Sequence, residues 1–188
     1  AVWGLGQLLR KKMVDAEVIL PLLADPSAEV RRNAIVILGD GHAVEATPYL
    51  IHTLTERDAN KCSLAEKAAA AIALGRIARY AGESIPRAVP ALLETLAHNN
   101  NVDPVLRSAA CFSLSECATE SQLTECASDP RQSVRLGAVV ALGRIRSSRL
   151  GAFVDDTDIH VVTEAARGLY GNGDEESTRI LSMLGRKP

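Results

Sequence analysis

Histidine and carboxylate side chains are the first candidates for chemistry in this chain. His160 and Glu164 stand four residues apart, so on a helix they would share one face and could both reach a metal ion. One such pair supplies only two ligands, whereas a structural zinc site normally has four. None of the four histidines is followed by Glu. We therefore interpret the pair as a solvent-exposed helix pair, and we predict no catalytic residue, no metal site and no cofactor.

The four cysteines lack the spacing of a metal site or of a haem attachment. Cys62, Cys111, Cys117 and Cys126 form neither C-x-x-C nor C-x-x-C-H. Because free cysteine packs like a small hydrophobic residue, we predict buried or half-buried thiols. Their spacing leaves open whether any two are joined in a disulfide, which export from the cell would allow.

The composition argues against two classes of partner. The formal net charge is −2 and aromatic residues make up 3% of the chain, so neither a basic face nor a base-stacking platform for nucleic acid is indicated. No apolar run approaches the roughly 18 residues of a membrane span, so we predict no membrane insertion. The chain starts at Ala1 without Met, and we expect a monomeric fragment of a longer protein.

An internal repeat supplies the elements that must position any site. Leu-Gly recurs with its glycine at positions 6, 39, 75 and 143, and Leu-Ser and Leu-Tyr at 115 and 170 are weaker copies. The six positions are 27 to 40 residues apart, a spacing typical of helical solenoids. Alanine stands five residues before each one, at Ala1, Ala34, Ala70, Ala110, Ala138 and Ala165. Such small residues let neighbouring helices approach closely, so we expect these alanines in the core.

The segment from Asp129 to Arg146 shows how one unit is built. Asp129 is a good N-cap, Pro130 suits the first helical position, and apolar residues then recur at helical spacing. Ser63 and Glu66 form the pattern of a capping box. Because no segment has the alternation of a strand, we predict an all-α, right-handed α-solenoid of about six antiparallel helix pairs, twelve helices in all. The units cover about 1–24, 25–55, 61–97, 103–127, 129–154 and 156–184.

The order of motifs in a unit is Asp-Pro, then Val-Arg, then Ala-x-x-x-Leu-Gly, and then an apolar second helix. That order resembles the HEAT repeat in its short, lyase-like variant. The resemblance implies a ladder in which an Asp bonds an Arg six residues later, here Asp25 with Arg31 and Asp129 with Arg135. Residues 1–7, 102–110 and 158–166 also resemble the HEAT region of large exported bacterial proteins. Those proteins join a sugar-dehydrogenase-like propeller to a c-type haem segment, so this narrower resemblance implies a domain context.

A solenoid usually binds its partner on one face of the first helix of each pair. The residues we predict for such a groove are Trp3, Gln7, Asp40, Arg76, Phe112, Glu116, Arg144, His160, Glu164 and Arg167. An apolar row accompanies them, formed by Trp3, Val36, Ile72, Phe112 and Val140. Two interpretations of the row stay open: it packs against the second helices, or it contacts a peptide or domain.

These observations favour a non-catalytic module that binds a protein or neighbouring domains of its own chain. The narrower resemblance implies that the module links dehydrogenase and haem domains in a periplasmic or exported protein. Two alternatives remain: a lyase-like HEAT protein that handles a tetrapyrrole, and an inert structural spacer. Without the dehydrogenase context we expect a cytoplasmic protein.

Overall fold

The computed structural model describes residues 2–58, 60–82 and 85–184, and within those ranges it contains helices and no β-strand. The α-helices of these residues are α1 Val2–Arg10, α2 Ala28–Asp40, α3 Thr47–Thr55, α4 Leu64–Ala81, α5 Ala88–Asn99, α6 Pro104–Cys117, α7 Glu120–Glu125, α8 Gln132–Arg144, α9 Ile159–Asn172 and α10 Glu175–Leu184. Short 3-10 helices lie between them at Ala16–Val18, Leu20–Ala24, Val44–Ala46, Cys126–Ser128 and Ser148–Phe153.

The helices form two layers. The first-helix layer consists of α1, α2, α4, α6, α8 and α9, each packed beside the next, and the second-helix layer holds α3, α5, α7 and α10. The predicted all-α solenoid is confirmed.

Alanines at the matching repeat position fill the core between the helices. The five described ones are fully buried, at Ala34, Ala70, Ala110, Ala138 and Ala165, while Ala1 lies outside the described residues. The leucine four residues later in each unit is also fully buried, at Leu38, Leu74, Leu114, Leu142 and Leu169. The predicted core is therefore confirmed for the second to the sixth unit.

Two of the repeat glycines allow first helices to touch through their backbones. A Cβ added at Gly39 would lie 2.6 Å from the Cβ of Ala73, and one added at Gly75 would lie 2.5 Å from the Cβ of Ser113. Neither separation is sterically possible, so these positions require glycine. Ser113 also donates a hydrogen bond across the contact, from its Oγ to the carbonyl oxygen of Ala71 at 2.8 Å. We call the packed group of α2, α4 and α6 the central seam.

Two of the predicted second helices are 3-10 rather than α-helical. The segment predicted over 15–24 divides into Ala16–Val18 and Leu20–Ala24, with Pro21 in the first turn of the latter. Proline has no amide to donate, so a continuous α-helix through this point would lose a hydrogen bond. Ser148–Phe153 forms a 3-10 helix over all six of its residues. The expected twelve helices become ten α-helices and these 3-10 segments among the described residues.

The Asp-Pro pairs at Asp25 and Asp129 both lie in a turn before the helix that follows, and at Asp129 this differs from the prediction. The Asp25 carboxylate accepts the amide of Ser27 at 2.8 Å, and Arg31 Nη1 donates to the Asp25 carbonyl at 2.8 Å, so α2 begins only at Ala28. Asp129 accepts the amide of Arg131 at 2.8 Å in the same way. The predicted N-cap at Asp129 and helical Pro130 are therefore wrong, because an arginine six residues on holds each Asp-Pro pair in a turn before the helix.

Asp103 does cap its helix, because the arginine that follows it stands at a different spacing. Arg107 comes four residues later, and the Asn99 side chain instead binds the Asp103 carbonyl at 2.8 Å and its amide at 3.0 Å. The Asp103 carboxylate is then the N-cap of α6, accepting the amide of Leu106 at 2.6 Å. The capping box of Ser63 and Glu66 at the start of α4 is confirmed.

Candidate functional site

A depression of about 360 Å³ lies across the solvent-exposed side of the central seam. We call it the first-helix groove, and its lining residues are Arg32, Val36, Ala65, Ala68, Ala69, Ile72, Ala73, Arg76 and Val105. Val105 is 65% exposed, and Val36 and Ile72 are half-buried. The groove therefore has an apolar floor that is open to solvent, and Arg32 and Arg76 lie on its rim.

A second, polar depression of about 470 Å³ adjoins the groove and shares Arg76 with it. We call it the charged end, and it is lined by Arg10, Asp40, His42, Arg76, Arg79 and Glu116. Arg76 forms an ion pair with Asp40, and Arg79 forms one with Glu116. These pairs connect α4 to α2 and to α6, so the charges are positioned by the same helices that form the floor.

Sequence reasoning predicted half of the charged end. Asp40, Arg76 and Glu116 were predicted in the groove, because each directly follows the residue that ends a Leu-Gly or Leu-Ser pair of the repeat. Arg79 was missed although it lies three residues after Arg76, the spacing of neighbours on one helix face. His42 was missed because it follows the end of α2. It has a positive φ of 53°, and its ring stacks on Tyr80 with centroids 4.6 Å apart.

The remaining predicted residues lie outside the two depressions. Trp3, at 59% exposure, and Gln7 are on the solvent side of α1. Phe112 is half-buried and lies beneath the guanidinium of Arg144, whose carbon is 5.7 Å from the ring centroid. This contact is a cation–π interaction between adjacent first helices, so both side chains have a partner within the fold.

The predicted residues of α9 form a separate surface group. Glu164 and Arg167 are bonded to each other at 2.7 Å, and His160 is exposed at the first turn of the helix. Glu164 therefore has a cation as its partner, in keeping with a solvated helix pair.

The predicted groove does not continue across α8. Helical spacing puts Ser133 and Gly137 on the same face of α8 as Val140 and Arg144, and therefore predicts them in the groove, but both are buried. A Cβ added at Gly137 would lie 2.2 Å from Cδ1 of Leu96 on α5. The short α7 leaves room for α8 to pack directly against α5, and this contact buries the N-terminal part of that face, while Arg144 at its C-terminal end stays exposed.

The arginine ladder connects neighbouring units, with acids different from those predicted. Arg31 Nε donates to Glu66 at 2.7 Å, and Arg135 donates to Asp156 at 2.7 Å and 3.0 Å. Within its own unit each arginine donates to the main-chain carbonyls of the Asp-Pro pair, and it does not bond the carboxylate of Asp25 or Asp129. The expected pairing of side chains is corrected accordingly, because those aspartate carboxylates accept backbone amides.

Both ladder acids are held in the charged form. Burial raises the pKa of Glu66, but hydrogen bonds from Arg31 and Ser63 outweigh it, and the pKa lies below its ordinary value of 4.5. The hydrogen bond from Arg135 lowers the pKa of Asp156 against the opposing effect of burial. Since Glu66 is only 3% exposed, this pair serves the fold rather than a partner.

The chemistry open to the described residues is limited. Burial raises the pKa of all four thiols, Cys62, Cys111, Cys117 and Cys126, to about 11, which leaves them weakly nucleophilic at neutral pH. Residues 2–58, 60–82 and 85–184 contain no group of three His, Cys, Asp or Glu side chains suited to a metal ion. None of the helices in those ranges is both long enough and apolar enough to cross a bilayer.

A larger depression, of about 510 Å³, lies on the second-helix layer between α3 and the segment 85–87. Its lining includes Ile51, Pro48 and Pro86, and in sequence it adjoins residues 83 and 84, which are outside the described part. The first-helix groove is the stronger candidate because three neighbouring helices of the first-helix layer form it, all of them described.

Comparison with known proteins gave one family match. The sequence model of HEAT repeats matches residues 16–115, slightly more than half of the chain and including the whole central seam up to Ser115. No curated protein matches the chain.

Proposed function

Since the chain belongs to the HEAT-repeat family, whose members in general act as protein-interaction scaffolds, we propose that it is a non-catalytic binding module whose partner lies in the first-helix groove. The observation that carries the proposal is the apolar floor. Val36, Ile72 and Val105 come from α2, α4 and α6, which are neighbours in the first-helix layer, and all three line the same open depression. Apolar surface gathered in this way marks binding sites, whereas scattered apolar residues do not.

Photo-crosslinking in the cells that make the full-length protein tests the proposal. Val105→p-benzoylphenylalanine places the reactive group in the groove, and Tyr49→p-benzoylphenylalanine is the matched control on the second-helix layer, where Tyr49 is 52% exposed. We expect a discrete crosslinked protein from position 105 and none from position 49. Adding Ile72→Arg should abolish that crosslink without lowering the melting temperature. Equal crosslinking from both positions, or none from position 105, would contradict the proposal.

The domain context is a finer proposal that rests on sequence resemblance alone. Under it, the module links a sugar-dehydrogenase-like propeller to a c-type haem segment in the same chain. The support is the similarity of residues 1–7, 102–110 and 158–166 to such proteins. Sequencing the gene on both sides of this region tests it, with C-x-x-C-H downstream as the expected result. The tetrapyrrole and spacer alternatives stay predictions.

A further inference from the structure

We infer that the partner segment is acidic: the first-helix groove and its charged end take a peptide that places apolar side chains on the floor and Asp or Glu carboxylates against Arg10 and Arg32. The inference rests on the proposed function and adds the chemistry of the ligand. It starts from the charges that line the two adjoining depressions, namely four arginines and two carboxylates.

Both carboxylates already have cationic partners. Asp40 is paired with Arg76 and Glu116 with Arg79, which neutralises four of the six charges. The side chains of Arg10 and Arg32 form no hydrogen bond or ion pair with any residue of the described ranges, and both are exposed. The lining therefore carries an excess of two positive charges on a chain whose formal net charge is −2.

The two unpaired arginines define where carboxylates would bind. Arg10 is at the last turn of α1, in the charged end, and Arg32 is on α2 beside Val36, at the rim of the floor. Glu29, an exposed acid on α2, lines neither depression. A ligand that covers both the floor and the charged end therefore meets both guanidinium groups, and carboxylates bind them with charge-assisted hydrogen bonds.

The backbone around the charged end gives no help to an anion. Arg10, Asp40, Arg79 and Glu116 all lie in the last turns of their helices, where the helix dipole is negative and repels carboxylates. Recognition of an acid at this end must then come from the arginine side chains. Reversing the charge of Arg10 should consequently weaken the recognition of an acid, while the apolar floor stays intact.

Peptide selection with the purified chain tests the inference. A random 12-residue library displayed on phage is selected on the wild-type chain and depleted on Ile72→Arg, so that the retained peptides are those that need the groove. We expect these peptides to combine apolar residues with Asp or Glu. Their Kd should rise about tenfold on Arg10→Glu and on Arg32→Glu, and the effect should weaken as salt screens the charges.

Lys11→Glu is the matched control, because Lys11 is exposed, neighbours Arg10 in sequence and lines neither depression. This variant has the same net charge as Arg10→Glu and should change Kd less than twofold. Equal effects of the two variants, or groove-dependent peptides without acids, would overturn the acidic partner and leave the binding groove standing. If no peptide depends on Ile72, the proposed function fails as well.

Discussion

The central seam and the contact between α8 and α9 use the same repeat position in different ways. Gly39 and Gly75 face Ala73 and Ser113 so closely that an added Cβ would be 2.7 Å and 2.8 Å from the neighbouring Cα atoms. At Gly143 the nearest atom to an added Cβ is the Cα of Gly168, at 4.0 Å. The central glycines are sterically required, whereas the later one has room for a methyl group.

The difference arises from the residue on the opposite helix. Ala73 and Ser113 already carry a Cβ, so their partners must lack one, while Gly143 meets a second glycine and has room for a methyl group. Both regions nevertheless contain a ladder pair, Arg31 with Glu66 and Arg135 with Asp156. Copies of one repeat motif thus occupy equivalent positions in the fold, but the contacts that they make there differ.

The largest effect is expected from adding one methyl group to the central seam. Gly75→Ala forces α4 and α6 apart, because the new Cβ would meet the backbone and the side chain of Ser113. Overpacking of this kind costs roughly 2–3 kcal/mol in the free energy of unfolding, even after the helix-propensity gain of about 1 kcal/mol. Urea unfolding monitored by circular dichroism measures the cost.

Gly4→Ala is the control for this change, because an added Cβ at Gly4 in α1 meets no atom within 4 Å. It should keep or raise the stability. A Gly75→Ala variant as stable as the wild type would show that the seam opens freely, and the contrast with the α8 and α9 contact would disappear.

A second, slightly smaller effect should be common to both regions. Glu66→Gln and Asp156→Asn each leave a partly buried arginine without its counter-charge, which costs on the order of 2 kcal/mol at pH 7. Because the pKa of each carboxyl is lowered in the folded chain, its stabilisation is complete above the ordinary pKa, 4.5 for Glu66, and is lost as the pH falls through the lower folded-state value.

Urea unfolding at pH 7, 5 and 3 measures this dependence. The difference between the wild type and each variant should be largest at pH 7 and should shrink toward pH 3. A difference that stays constant across this range, or one confined to Glu66, would mean that the ladder is not shared by the two regions.

The smallest effect should have the opposite sign. Gly143→Ala introduces a methyl group where the nearest atom is 4.0 Å away and gives α8 a better helix former. We expect the free energy of unfolding to rise by about 0.5–1 kcal/mol. Thermal unfolding of Gly143→Ala beside Gly75→Ala gives the direct contrast. A loss of stability in both variants would remove the distinction between the regions.

Local sequence patterns predicted the parts of the fold that depend on local spacing. The buried face of Ala34 and Ala70 follows from helical periodicity, and the capping box at Ser63 needs only residues within one turn. The ladder acids were not predicted, because Glu66 and Asp156 belong to the next unit and contact arginines 35 and 21 residues away. Nothing in the spacing of one unit reveals how the next unit is rotated.

The same limit on prediction from sequence applies to the candidate site. Periodicity placed Val36, Ile72 and Arg76 on one face, and they do line one groove. The same rule wrongly placed Gly137 on the open face, because the direction of α8 depends on the length of α7 and on Leu96 of a preceding unit. Positions within a helix are thus predictable from sequence, and the orientation of a helix in the array depends on tertiary packing.

The buried thiols have a consequence for the surroundings in which this module can work. With a pKa of about 11, each of the four cysteines is ionised in only about one molecule in ten thousand at pH 7. Thiolate is the species that reacts with oxidants and with disulfides. The folded array should therefore keep the same covalent structure, and the same groove, in glutathione buffers of either reducing or oxidising poise.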